Sequence, residues 1–243
     1  MNIEMLQKWK NEGLTMSEIS NLTGIEYSVV RYHHLKNNII PNSSRPKLDI
    51  SRIKNPFDVE AQYIIGFLAA DGNFSHSRSI DCFLQERDSE VLVRILNFFN
   101  LPLDRIRLKI NNVGSRQLGI TLGSVELINY LSQYYGFSNR KSLTLPFPSW
   151  LNNPLPFLRG FFDGNGYMGV SCTFSSASPY FVSGLLNWVY TVYSYQPNCQ
   201  MSGTNKICVN INFRKKHEKF IRDLFSYPGL KRKTEAYYQY LPN

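Results

Sequence analysis

Two stretches decide how this chain folds: YIIGFLAADGNF at 63–74 and FLRGFFDGNGYM at 157–168. Aligned on each other, Gly66 falls on Gly160, Ala70 on Gly164, Asp71 on Asn165 and Gly72 on Gly166. Each is an apolar run of helix length with small residues four apart, which lie on one helix face and let two backbones approach closely. An interior glycine costs a helix about 1 kcal/mol relative to alanine. The same defect at matching positions predicts that the two helices pack on each other. Each run ends in a polar residue and a glycine suited to a helix C-terminus. Packing would therefore set Asp71 beside Asn165. Two oxygen-bearing side chains beneath a basic surface can hold a hard cation such as Mg²⁺, whose shell is completed by water and phosphate oxygens. That is equipment for metal-assisted phosphodiester hydrolysis. Plain helix-end residues are the alternative reading of both positions.

The repeat extends outward from these runs. After DVEAQYIIGFLAADG come GNFSHS and SIDCFLQE as strands, SEVLVRILNFF as an amphipathic helix, RIRLKI and RQLGITL as strands, and SVELINYLSQYYG as a helix ended by Gly136. A second pass follows: helix PLPFLRGFFDG, strand-like GYMGVSCTFSS, helix PYFVSGLLNWVYTVY, strands near Asn198 and in KICVNINF, and helix KKHEKFIRDLFSY. Both passes fit the order αββαββα, so the fold class is α+β with an internal repeat of about 90 residues. The expected divisions are an all-α segment at 1–38, a linker at 39–55 and two repeats at 56–150 and 151–243. Asn, Ser, Pro and unpatterned charge mark the linker, and its Arg45, Lys47, Arg52 and Lys54 could track a DNA backbone; a solvated tether is the alternative reading.

The chain has 243 residues, a formal net charge of +9 and a pI near 9.4, which suits a polyanionic partner. It has no apolar run of membrane-spanning length. The four cysteines, Cys82, Cys172, Cys199 and Cys208, form no CxxC pair and read as free thiols of a reducing compartment. A cytoplasmic location in a bacterial, phage or organellar host is expected.

Residues 1–36 read as three short helices. Ile3, Leu6 and Trp9 share a face of the first. Thr15 and Glu18 form a capping-box pattern at the start of the second, whose Ile19 and Leu22 have the spacing to pack on the third. Helix, tight turn and helix is the helix-turn-helix layout. On the third helix Tyr27, Arg31 and His34 share a face that could enter a major groove, with Lys36 close behind. The pattern resembles the helix-turn-helix segments of resolvases and sigma factors; a plain three-helix bundle reads much the same.

IIGFLAADG and LRGFFDGNG resemble the two motifs of the LAGLIDADG homing endonucleases in their single-chain, two-repeat form. The resemblance covers residues 56–240. FLQERDSEVLVRILNFF is similar to the family's second strand and following helix, and NRKSLTLPFP to its inter-repeat junction. It implies a pseudo-twofold monomer whose motif helices form the interface and whose two curved antiparallel sheets make a saddle along double-stranded DNA. It also implies Mg²⁺ or Mn²⁺ bound by the last acidic residue of each motif, and the biology of intron homing and mobile elements. By position that acid is Asp71 in the first half. Asn165 departs from the pattern and brings no charge. Asp163, two residues earlier, is expected to be structural. The family's basic residue near each site maps to NRKSL and KRKTE, hence Lys141 and Lys233, and a polar residue near the scissile phosphate maps to Gln85, with Ser175 as its counterpart. On the strands Arg107, Lys109, Arg116, Lys206 and Arg214 would face DNA. The implied activity is a site-specific, metal-dependent DNA endonuclease, and Asn165 leaves open whether it cuts both strands, nicks one or is inactive. The alternative is a non-cleaving transcriptional regulator on a degenerate form of the same fold.

Overall fold

The computed structural model describes residues 2–39, 48–75, 79–110, 114–202 and 207–240. The chain divides into two units, Met1–Lys47 and Leu48–Asn243. Of the linker expected at 39–55, residues 48–55 belong to the second unit. Ile50 and Ile53, three apart, are buried in its core, while Arg52 pairs with Asp58 and Lys54 with Glu126. Arg45 and Lys47 lie outside the described residues.

The first unit is α1 (Ile3–Asn11), α2 (Met16–Thr23) and α3 (Tyr27–Lys36). Thr15 and Glu18 close the expected capping box: Glu18 N donates to Thr15 Oγ1 at 3.2 Å, and Thr15 N donates to Glu18 Oε2 at 2.8 Å. Gly24 ends α2 at φ 67°, a left-handed conformation that glycine takes without strain. Leu6, Trp9, Ile19, Val30 and Ile39 form the core of this unit. Ile3 and Leu22, expected to pack, are exposed instead. His34 is also corrected. It is four residues after Val30, so the helical period puts it on the core face, where it is 1% exposed with Nδ1 3.3 Å from the Ile39 carbonyl. It is not available to a groove, whereas Tyr27, Arg31 and Lys36 are exposed.

The second unit repeats one order of elements. Its first half is α4 (Val59–Asp71), β1 (Asn73–Ser75), β2 (Ser79–Gln85), α5 (Glu90–Phe98), β3 (Arg107–Ile110), β4 (Arg116–Gly123), α6 (Val125–Tyr135) and the short α7 (Lys141–Thr144). Its second half is α8 (Leu155–Asn165), β5 (Gly166–Met168), β6 (Cys172–Ser176), α9 (Pro179–Tyr193), β7 (Asn198–Ser202), β8 (Cys208–Phe213), α10 (Glu218–Phe225) and α11 (Lys231–Tyr240). The fold is α+β, with two four-stranded antiparallel sheets of matching strand order, β1-β2-β4-β3 and β5-β6-β8-β7.

Each sheet is apolar on one side only. Along β2, Ile80, Cys82 and Leu84 are buried while Ser79, Asp81, Phe83 and Gln85 alternate to the open face. On β6 and β8, Cys172, Phe174, Ile211 and Phe213 are buried, and Phe213 stacks on Phe220 of α10 with ring centroids 4.2 Å apart. All four cysteines are free thiols, with Cys82 and Cys172 buried. Among the described residues no helix is long and apolar enough to cross a membrane.

The two motif helices meet as the glycine spacing predicts. A β-carbon on Gly66 would stand 1.9 Å from the Phe157 carbonyl oxygen, and one on Gly160 would stand 1.9 Å from that of Tyr63. Tyr63 and Phe157 are themselves matching positions of the repeat, so the contact is reciprocal. One turn further on, a β-carbon on Gly164 would lie 2.3 Å from that of Ala70. The helices are in backbone contact along this face, and only glycine permits it.

Candidate active site and nucleic-acid interface

Backbone contact between α4 and α8 brings their C-terminal ends together. The Asp71 carboxylate lies against Gly164, with Oδ2 3.3 Å from where a β-carbon on that glycine would be, one residue before Asn165. Asp71 is half-buried and Asn165 exposed. Burial pushes the Asp71 carboxyl above its ordinary range, while Lys233 and Lys141 pull it back down and Asp88 raises it further.

Both lysines are buried, unlike ordinary surface lysines of a basic run. Lys141 opens α7 and its Nζ donates to the carbonyls of Ala69 at 2.6 Å and Ala70 at 3.1 Å. Lys233, on α11, donates to the carbonyls of Phe162, Asp163 and Gly166, each at 2.7 Å. Each ammonium therefore sits on the C-terminal carbonyls of a motif helix, where the helix dipole favours positive charge. An ammonium has three N–H donors. Lys233 has used all three on the backbone, and Lys141 has used two among the described residues. Burial lowers both pKa values to about 8, with Asp71 holding the charged form of Lys141, and Asp163 and Asp71 that of Lys233.

Asp163 has the structural role expected of it. Its Oδ2 accepts from Tyr63 Oη at 2.9 Å and Leu230 N at 2.7 Å, and lies 3.5 Å from Arg159 Nε. Arg159 and Asp163 are both buried, and the guanidinium lies over the Phe225 ring at 4.1 Å. The sequence reading missed a second group beside Asp71. Arg232 grips Asp88 with two bonds of 2.5 and 2.9 Å, tying α11 to the turn after β2. The signal was present in ERD and KRK, but nothing in the sequence pairs them.

The two helix ends differ in their surroundings. Asn165 opens on a cavity of about 180 Å³ lined by Ala69, Ala70, Lys141, Ser142, Ser175 and Cys208 among others, none of them a carboxylate. Carboxylates Asp71 and Asp88 belong to the other end. Among the described residues no three His, Cys, Asp or Glu side chains gather into a metal cage.

Strand register sorts the other expected residues. Gln85 is exposed on the open face opposite Gln117. Its counterpart is not Ser175. Asn73 pairs with Asp81 and Tyr167 with Thr173, so the repeat sets Phe83 against Ser175 and Gln85 against Ala177. Arg107 pairs with Gly119 and Lys109 with Gln117, which puts both on the open face, and Lys109 Nζ sits 4.6 Å from the Phe83 ring centroid. Arg116 is corrected: it pairs with Ile110, in step with Leu118, Leu108 and Leu84, on the opposite face. Its Nε lies 3.9 Å from Glu86 Oε2. Arg214 is exposed just after β8, and Lys206 lies outside the described residues.

No protein-family model and no curated protein matches the chain. Solved structures do. It is similar to the LAGLIDADG homing endonuclease I-LtrWI bound to target DNA, at 13% identity and a TM-score of 0.54 over 76% of this chain and 89% of that one. Weaker superpositions are found with I-DmoI in complex with DNA and Ca (10% identity, TM-score 0.49, 74% and 97% of the two chains). The LAGLIDADG meganuclease I-AabMI bound to uncleaved DNA is a further one (16%, 0.47, 74% and 87%). The first of these superpositions shows that the chain has the LAGLIDADG homing endonuclease fold.

Proposed function

We propose that this protein binds a specific double-stranded DNA site through the open faces of its two sheets and, with a divalent metal, hydrolyses one strand at Asp71. The observation that carries the reading is the pair of motif-helix ends, each backed by a buried lysine, of which only one offers a carboxylate. The similarity to I-LtrWI bound to target DNA supports the choice of ligand.

The donor set fits Mg²⁺ or Mn²⁺ at Asp71. Such ions bind through one or two carboxylates and complete their shell with water and phosphate oxygens. A divalent ion there supplies Lewis-acid polarisation of a phosphoryl oxygen. Asn165 does not fit in the same way, since its amide brings no charge and the Lys141 ammonium lines the same cavity. Lys233, with its donors spent, acts as a fixed positive charge that keeps Asp71 ionised in spite of burial. Among the described residues Lys141 has one N–H left for a phosphate oxygen on the Asn165 side. Arg232, held by Asp88, ties α11 to the turn after β2 beside Asp71. Gln85 lies on the sheet face that would meet bases. Exposed Arg107 and Lys109 lie on that same face, exposed Arg214 neutralises a phosphate, and Arg31 and Lys36 of the helix-turn-helix-like unit add phosphate contacts.

The test is binding followed by cleavage, using the full chain and a library of duplex fragments. Expected are salt-dependent capture of a defined sequence and a metal-dependent break in one strand. Asp71→Asn is expected to bind equally and cut nothing. Equal binding of every fragment refutes the specific-site reading. Specific binding without any break in Mg²⁺ or Mn²⁺ supports the non-cleaving regulator instead.

A further inference from the structure

The two open faces are chemically unlike. Residues directly opposite in an antiparallel pair point to the same face. On the second sheet Thr173 pairs with Asn212 and Asn212 with Asn198, and Ser175 pairs with Asn210 and Asn210 with Gln200. These are two cross-strand rows, each a hydroxyl followed by two amides. No Lys, Arg, Asp or Glu occurs anywhere in β5–β8. The row on the first sheet that matches Ser175–Asn210–Gln200 is Phe83–Gly119–Arg107, and the next is Gln85–Gln117–Lys109.

Two of the four amides are also held in place. Thr173 Oγ1 donates to Asn212 Oδ1 at 2.9 Å, and Ser175 Oγ donates to Asn210 Oδ1 at 2.7 Å. Each bond fixes the rotation of an amide and leaves its oxygen a second lone pair. Asn198 and Gln200, on the edge strand, are exposed. Nothing within the second sheet requires a polar surface of this composition, because its packing is done by the opposite face.

A side-chain amide pairs with adenine by accepting from N6 and donating to N7, whereas a guanidinium or ammonium pairs with O6 and N7 of guanine. We propose that the two halves of the target differ in base composition. Asn210, Gln200, Asn212 and Asn198 read adenines in an A·T-rich half, and Arg107 and Lys109 read guanine in the other. This rests on the DNA-binding function proposed above. Orientation of the amides before binding lowers the ordering cost of each contact.

The experiment is selection of the full chain on a pool of duplexes randomised across the site, sequenced after binding. It compares the unaltered protein with Asn210→Ala, Gln200→Arg and Arg107→Ala. The unaltered chain is expected to enrich a motif with one A·T-rich half. Asn210→Ala should reduce adenine preference about tenfold at one or two positions of that half alone. Gln200→Arg, on an exposed strand edge where it leaves the core untouched, should convert a neighbouring adenine preference to guanine. Arg107→Ala should relax a guanine in the other half. A clear motif that none of the three variants alters, or alters in the wrong half, overturns the inference and leaves the DNA-binding function standing. Absence of any enriched motif with the unaltered chain overturns both.

Discussion

Replacing Gly160 with alanine sets two effects of opposite sign against each other. In an isolated helix the change is favourable by about 1 kcal/mol. Here the new β-carbon would stand 1.9 Å from the Tyr63 carbonyl oxygen and 2.8 Å from the Phe67 backbone nitrogen. Weak C–H···O contacts close to about 3.3 Å, so the helices must separate by more than 1 Å, about 1.4 Å at the closest point. The obstacle is backbone of a buried helix, not the end of a flexible side chain. The cost therefore falls at or beyond the top of the range of about 1–3 kcal/mol for overpacked cores, and exceeds the propensity gain. For a unit of this size about 3 kcal/mol lowers Tm by roughly 6–12 °C. Gly66→Ala, which meets the Phe157 carbonyl at 1.9 Å, should behave alike. Gly123→Ala, with nothing within 4 Å, is the control. The assay is thermal and urea unfolding, with metal-dependent nicking measured on the same samples. Nicking should fall further than stability, because separation of the helices moves Asp71 away from Lys233, which is held on the end of α8. A Gly160→Ala protein of unchanged or raised Tm would refute the backbone-contact account of the interface.

Further outcomes follow from the same geometry. Asp163→Ala leaves the Arg159 guanidinium buried without its carboxylate and should cost about 3–5 kcal/mol by urea unfolding. Replacing Arg159 and Asp163 together by Met and Leu should restore most of that loss; a double variant as unstable as the single one contradicts the pairing. The nicking rate should rise above the ordinary aspartate range, because Asp71 titrates high, and fall as pH passes about 8, where Lys141 and Lys233 lose their charge. Stability runs the other way there. The folded pKa of each lysine is lowered from 10.5 to about 8, so the unfolded chain binds more protons between those values, and this contribution to stability rises with pH. An alkaline limb that follows unfolding, or that persists unchanged in both Lys141→Met and Lys233→Met, would contradict the assignment.

Much of this was legible in the sequence because glycine inside a helix has few other reasons to be there. Gly66 and Gly160 announced the interface, and the alignment carried the rest of the repeat. What escaped was decided by tertiary context. KRKTE reads as a solvated basic run, and nothing local shows that Lys233 turns inward onto three carbonyls. Helix α3 carries no apolar stripe, so His34 was assigned to the outer face although Val30, one turn before it, is core. The face of Arg116 was not legible because the sequence between RIRLKI and RQLGITL leaves strand parity open, and a shift of one residue moves a side chain to the other face. The counterpart of Gln85 depends on strand register: Asn73 pairs with Asp81, eight residues on, but Tyr167 pairs with Thr173, six residues on, and no pattern along the chain shows that difference. The Asp88–Arg232 pair joins residues from opposite halves, and no pattern along the chain foretells it.

The central claim is that one helix end is equipped for hydrolysis and the other is not. The most direct measurement is cleavage of supercoiled plasmid bearing the selected site, in Mg²⁺ and in Mn²⁺, with each strand end-labelled. It compares the unaltered chain with Asn165→Asp and Asp71→Asn. The account predicts nicked circles cut in a single, constant strand from the unaltered chain, linear product once Asn165 is aspartate, and no product from Asp71→Asn. Linear product from the unaltered chain, or nicking that survives Asp71→Asn, would contradict it.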